Sequence, residues 1–235
     1  MKIALLGYGK MGKVIEQIAV QRGHDIVLKV DHGGVNFDLS QADVAIEFSV
    51  PEAAVHNIST ALKNQTPVVS GTTGWLEDFD KIKALCNAHN GAFIYASNFS
   101  LGVNIFFELN KKLAQLMKSQ AQYGVSMEEI HHTQKQDAPS GTAITLAETI
   151  IREKGLQQWT LGANTNNNQI GIEAKRIENV PGTHRISYDS EVDEIEIKHT
   201  AHNRQGFGLG AVIAAEWILG KQGVFSMKDV LDINS

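Results

Sequence analysis

Residues 129–143 read EIHHTQKQDAPSGTA and gather two adjacent histidines, His131 and His132, with Lys135 and Asp137, just ahead of Ser140, Gly141 and Thr142. A histidine gains and loses a proton near neutral pH, so this stretch can deliver a proton to a reacting atom. Lys135 offers a cation or a second acid. Hydroxyls and unpaired backbone N–H groups at a helix start hold a carboxylate. The chemistry on offer is therefore protonation of a small anionic molecule gripped by Ser140, Gly141 and Thr142. The same residues would also serve a capped helix preceded by surface histidines. Consecutive strand residues point to opposite faces, so His131 and His132 are expected to do different jobs.

A second constellation lies at the start of the chain. KIALL leads into Gly7-Tyr8-Gly9-Lys10-Met11-Gly12, a helix follows with Val14, Ile18 and Ala19 on one face, and a second strand, DIVLKV, stops at Asp31. In that strand–helix–strand context G-x-G-x-x-G has a mechanism. Gly7 makes the tight turn, Gly9 admits a pyrophosphate, and Gly12 lets helix and strand pack closely. The pyrophosphate would sit on the helix N-terminus, and Asp31 is placed to accept from a ribose 2′-OH, which tilts the expectation to NADH over NADPH. His32, when protonated, accommodates the 2′-phosphate of NADPH, so both cofactors stay open.

The elements that must position these groups follow from the pattern. Strands at 42–49, around TPVVS and at AFIYAS alternate with helices after Pro51 and through 77–90, which predicts a Rossmann-type, doubly wound parallel sheet of the α/β class. The carboxyl ends of its strands line up residues 7–12, 47–49, 71–74 and 97–99 along one rim, where Phe99 is a candidate to pack on a nicotinamide and equally a plain core residue. After NFSLGVN the alternation stops. A helix over 104–119 is expected to carry Ile105, Leu109, Leu113 and Leu116 on one side. A strand ending at MEEIHH, a helix near 140–154, a polar Asn-rich loop that we expect to be mobile, and strands at QIGIEAKRI, THRISYD and DEIEIKHTA predict a second, α+β domain. Its four strands should form an open, mixed or mostly antiparallel sheet with one face needing cover, which points to self-association. The apolar helix in FGLGAVIAAEWILG should return to the first domain. The expected division is residues 1–103 with 206–235 as the dinucleotide-binding domain, and 104–205 as the domain for substrate and oligomerisation.

Composition excludes several classes. A formal charge of −5 argues against nucleic acid as a partner. No apolar run approaches the ~20 residues of a membrane span, and the N-terminus passes into the glycine turn without a signal-peptide pattern. A single cysteine, Cys86, fits a reducing compartment and reads as a small buried hydrophobe. The expectation is a cytoplasmic protein. On the residues alone, the reading is an NAD(P)-linked oxidoreductase of a small acidic substrate. An inositol- or aspartate-type dehydrogenase and a non-enzymatic NADH-binding sensor are the alternatives.

The run EIHHTQKQDAPSGTA, together with GYGKMG, EFS, SGTTGW, NFSLGVN, KHTAHNRQGFGLGA and GVFSMKDVL in order, resembles the dihydrodipicolinate reductase family along essentially the whole chain. The resemblance implies NAD(P)H-dependent reduction of a cyclic dicarboxylate in lysine and diaminopimelate biosynthesis, by a homotetramer built through the open sheet. It implies His131 as general acid and His132 as a substrate-binding partner. Lys135 becomes an acid or carboxylate contact, and Ser140, Gly141 and Thr142 bind a substrate carboxylate. It places Lys10 near the pyrophosphate, Met11 beside it in the same glycine loop, and Gly71, Thr73, Asn98 and Phe99 at the nicotinamide end, with no metal. The sequence departs from the family at Thr133 and Gln134, where relatives carry basic residues or histidine. It departs again at Ile177, which follows Arg176 in a run that keeps Gly182 and His184.

Overall fold

The computed structural model describes residues 1–31, 36–164 and 168–233 of the 235. The chain forms two compact units, one of Met1–Asn104 with Gln205–Ser235 and one of Ile105–Arg204. His32 and part of the Asn-rich loop lie outside the described residues.

The first unit opens with β1 (Lys2–Leu6), α1 (Lys10–Gln21), β2 (Asp25–Val30), β3 (Val44–Glu47), α2 (Pro51–Lys63), β4 (Val68–Ser70), α3 (Phe79–Ala88) and β5 (Ala92–Tyr95). The second unit takes up the chain within α4 (Leu101–Leu116). It continues through β6 (Gly124–His131), α5 (Gly141–Lys154), β7 (Gln158–Leu161), β8 (Gln169–Arg176), β9 (Gly182–Asp189) and β10 (Glu194–Ala201). The chain then returns to the first unit as α6 (Gln205–Ile218), β11 (Gly223–Phe225) and α7 (Met227–Val230).

In the first unit six strands pair in the order β11-β5-β4-β3-β1-β2, all parallel. Such a sheet is covered on both faces, which is why β3 is buried along its whole length. Alternate residues of β1 go to opposite layers. Ile3 and Leu5 pack with Ile15, Ile18, Val212 and Ile218 of α1 and α6, while Ala4 and Leu6 pack with Ile58, Leu62, Ile82 and Phe93. The strand order reverses at β1, which has β2 on one side and β3 on the other. The crevice beyond the carboxyl ends of β1 and β3 is where such sheets bind ligands. The returning helix packs on α1 and the sheet, and Cys86 is buried in the opposite layer. β11 was not anticipated. It is three residues long and carries no alternation.

The second unit is a five-stranded mixed sheet, β10-β9-β6-β8-β7. β9 is antiparallel to β6 and β10, whereas β8 is parallel to β6 and β7. The expectation of four strands is corrected by β7, a four-residue edge strand too short to show a period. α5 covers one face, where Leu146, Ala147 and Ile150 meet Met127, Ile170, Ile172, Ile186 and Tyr188.

The inner face of α4 also differs from the expectation. Ile105, Leu109 and Leu116 are 55%, 49% and 61% exposed, while Phe106, Ala114 and Met117 are in the core. Asn110 hides this face in the sequence. It is fully buried and satisfies its amide N–H on the Leu146 carbonyl at 3.1 Å.

Candidate active site

In the first unit the chain leaves β1 through Gly7, whose φ of +106° suits glycine and whose N–H reaches the Val30 carbonyl at 2.9 Å. A Cβ here would stand 2.1 Å from the Phe48 carbonyl oxygen, and one at Gly12 would stand 2.3 Å from the Gly7 oxygen. Gly9 has nothing within 4 Å of its would-be Cβ. Gly7 and Gly12 therefore answer to packing, whereas the bare surface at Gly9 is free for a ligand. Helix α1 starts beside it with no side-chain cap and no acidic residue in its first turn, so its first N–H groups and the positive end of its dipole are available to an anion. A pyrophosphate fits these residues.

The cleft above them, about 440 Å³, is lined by residues 9–11, 48, 49, 51 and 71–73. It brings Gly9, Lys10, Met11, Gly71 and Thr73 together. Asp31 is exposed just past β2. Asn98 is half-buried, and its side-chain oxygen accepts from the Ser100 N–H at 2.9 Å near the start of α4. Phe99 is 1% exposed and packs on Phe48 with ring centroids 5.6 Å apart. Its ring is packed into the core of the first unit, the plainer of the two readings open at this position.

Glu47 is expected from its position only to be part of the rim. It is a fully buried carboxylate at the end of β3. It accepts from the Ser49 N–H at 3.0 Å, from Ser70 Oγ at 2.6 Å, from Thr72 Oγ1 at 2.8 Å and from the Ser49 hydroxyl. One side chain thus fixes the two loops that wall the cleft.

In the second unit Val125, Met127, Glu129 and His131 alternate along β6 onto its buried face. Strand register then imports two partners from far along the chain. Glu129 lies opposite His184 of β9, and His131 lies beside Arg176 of β8. Glu129 is fully buried. Both of its oxygens are 3.1 Å from the Ser140 N–H. Oε1 is 3.3 Å from Arg176 Nη2, and Oε2 is 3.4 Å from His131 Nδ1. Burial by itself would raise the Glu129 pKa, but the His131 ring and Ser140 more than offset it and hold it down to about 2.

His131 and His184 stack edge to face, ring centroids 5.2 Å apart. Burial first, then the neighbouring His131, lowers the pKa of His184 to about 4. His184 Nε2 and Ser140 Oγ share a hydrogen bond at 3.2 Å, and the same oxygen caps α5 by accepting from the Ala143 N–H at 3.2 Å. Gly141 and Thr142 open the helix beyond this cap, with nothing within 4 Å of a would-be Cβ at Gly141. Lys135 Nζ pairs with Asp137 at 2.7 Å. The guanidinium of Arg176 also donates to the Lys135 and Asp137 carbonyls at 3.3 and 2.5 Å, and so brackets the loop that carries Lys135.

Ligand atoms of Glu129, His131 and His184 lie within 4.8 Å of one another, a spacing a metal could use, but the cation beside this carboxylate is already Arg176. The structure thus gathers His131 and Ser140 around one carboxylate and ties Lys135 to it through Arg176. His132 stands apart, lining a depression of about 340 Å³ with Thr133, Gln134 and residues 178–181, 203 and 204. Glu129 escaped the sequence reading, although its place two residues before His131 on a strand signals a shared face.

Comparison with known proteins extends these findings. Family models for the N-terminus and the C-terminus of dihydrodipicolinate reductase match residues 1–99 and 102–231. A 4-hydroxy-tetrahydrodipicolinate reductase of Christiangramia forsetii is 57% identical over 234 residues, 98% of each chain. One from Methanoregula boonei is 36% identical over 81% of this chain and 75% of its own. Among solved structures, a dipicolinate-bound dihydrodipicolinate reductase from Paenisporosarcina sp. TG-14 has the same fold. Its TM-score is 0.76 at 23% identity, over 96% of this chain and 97% of its own.

Proposed function

The chain belongs to the dihydrodipicolinate reductase family, and we propose that its two units divide the labour of that family's reaction, one holding the hydride donor and the other the substrate. The enzyme carries out NAD(P)H-dependent reduction of dihydrodipicolinate in lysine and diaminopimelate biosynthesis. A bound reduced nicotinamide supplies the hydride. His131 supplies the proton that completes the reduction, so that one hydride and one proton are added to the ring. Ser140, Gly141 and Thr142 hold one carboxylate at the start of α5, and Lys135 meets the other. Gly7, Gly9, Lys10, Met11, Gly12, Gly71, Thr73 and Asn98 hold the dinucleotide. Fixing both carboxylates before transfer is a large share of such catalysis.

The observation that carries the reading is the convergence of His131 and the Ser140-capped helix start on one buried carboxylate, that of Glu129. We assign NADH as the preferred cofactor on the strength of Asp31. The sheet face opposite α5, which presents Ser126, Glu128 and Ile130, is our assignment for assembly into a homotetramer. The single buried cysteine supports a cytoplasmic location; among the described residues no helix is long and apolar enough to cross a membrane.

The test follows NADH and NADPH absorbance with substrate generated in place from pyruvate and aspartate semialdehyde. Rapid oxidation supports the reading. Measurable cofactor binding with no oxidation of either overturns it in favour of a nucleotide sensor. Light scattering on the eluting protein reads the assembly, and a monomer at micromolar concentration rules out the tetramer.

A further inference from the structure

We propose that Glu129 is a positioning residue that fixes the proton donor and the carboxylate cradle with one side chain, orienting His131 through Oε2 while Oε1 holds Arg176 and both oxygens share the Ser140 N–H. The proposal rests on the reading of His131 as the acid.

The argument starts from donor and acceptor count. An ionised carboxylate only accepts, so every group turned toward it must donate. Ser140 contributes its N–H at 3.1 Å and Arg176 its two terminal nitrogens at 3.4 and 3.3 Å. His131 Nδ1 approaches to 3.4 Å. Facing a carboxylate at this distance, Nδ1 keeps its hydrogen, so the proton that comes and goes belongs to Nε2. Nδ1 has no aligned hydrogen-bond partner in this state, so its contact with Oε2 is one of proximity to the carboxylate charge.

The groups facing His131 are Glu129 on its own strand, Arg176 beside it on β8 and His184 on β9. Glu129 is the anion in contact with the ring. Its other role is mechanical. Ser140 begins α5, and Arg176 brackets the loop through the Lys135 and Asp137 carbonyls. Donor, lysine loop and helix start therefore share one anchor.

Glu129→Gln separates the two roles. Ser140 and Arg176 both require an acceptor near Oε1, so the amide oxygen takes that place and the NH₂ group turns to His131. Nδ1 must then accept, and the neutral ring carries its hydrogen on Nε2. The cradle keeps its Ser140 bond. The expected result is turnover lowered roughly 10²-fold with substrate KM within about threefold. Cofactor affinity should be unchanged, and the His131 ring should switch from the Nδ1–H to the Nε2–H tautomer in nitrogen-detected NMR. Glu129→Ala should lower turnover and raise KM together.

A Glu129→Gln enzyme with wild-type turnover and an Nδ1–H ring overturns the proposal. So does an Nε2–H ring in the neutral wild-type protein, a measurement that needs no variant to fold. Unchanged turnover in His131→Gln would instead remove the acid assignment beneath it, which keeps the two failures distinct.

Discussion

Gly182 of β9 packs so tightly on His131 that a Cβ there would stand 3.1 Å from Nε2 and 3.3 Å from Cδ2 of the ring. The ring has little room to retreat, with His184 against it. Gly182→Ala should fold, tilt the imidazole and lower turnover about tenfold, while cofactor affinity measured by fluorescence titration stays at the wild-type value.

His131→Gln removes the proposed acid and keeps a polar side chain of similar size. Turnover should fall by roughly 10²–10⁴-fold, with substrate KM nearly unchanged, because the carboxylate-holding groups are elsewhere. Steady-state kinetics at several pH values checks this, and unchanged turnover removes the assignment.

The three glycines of the first turn should respond differently to one methyl group. Gly7→Ala adds a left-handed φ to a 2.1 Å clash with backbone, and Gly12→Ala a 2.3 Å clash, so each should cost about 2 kcal/mol or more in denaturant unfolding. Gly9→Ala meets nothing. It should unfold like the wild type and yet raise the dinucleotide KM at least tenfold. Equal unfolding losses in all three would refute the division between packing and ligand access.

Acidification should act on folding through His184 first. Its folded pKa, about 4, lies below its ordinary 6.5, because burial and then His131 disfavour the charged ring. Between those values the unfolded chain binds the extra proton, so the stability contribution is whole above pH 6.5 and is lost as pH falls toward 4. The Glu129 contribution follows, present above its ordinary 4.5 and lost as pH falls toward 2. Melting temperatures from pH 7.5 to 4 should drop, and His184→Asn should flatten the upper part of that slope.

Asp31→Ala should shift the ratio of kcat/KM for NADPH over NADH upward by tenfold or more, since it removes the proposed 2′-OH acceptor and a negative charge that would repel a 2′-phosphate. A ratio that does not move would transfer cofactor choice to other residues.

What the sequence disclosed depended on how local the signal was. The glycine turn, the parallel sheet and the Ser140 cap depend on neighbours within a few residues, and their patterns were readable. The packed side of α4 was not, because Asn110 looks polar until its bond to Leu146 is seen. Phe99 was ambiguous for the converse reason: an apolar residue at a strand end reads alike whether it lines a rim or fills a core. Arg176 and His184 stood out as residues, but their meeting with Glu129 depends on strand register, which a single sequence leaves open.

That register also bears on when the enzyme becomes active during folding. His131, the proposed proton donor, is on the central strand of its sheet, and its partners come from the strands on both sides, with Glu129 and Arg176 47 positions apart along the chain. Closing such long loops is slow compared with winding a helix. On dilution from denaturant, helical circular dichroism should therefore return before turnover does, and a chain with its helices formed but β8 or β9 undocked would be catalytically silent.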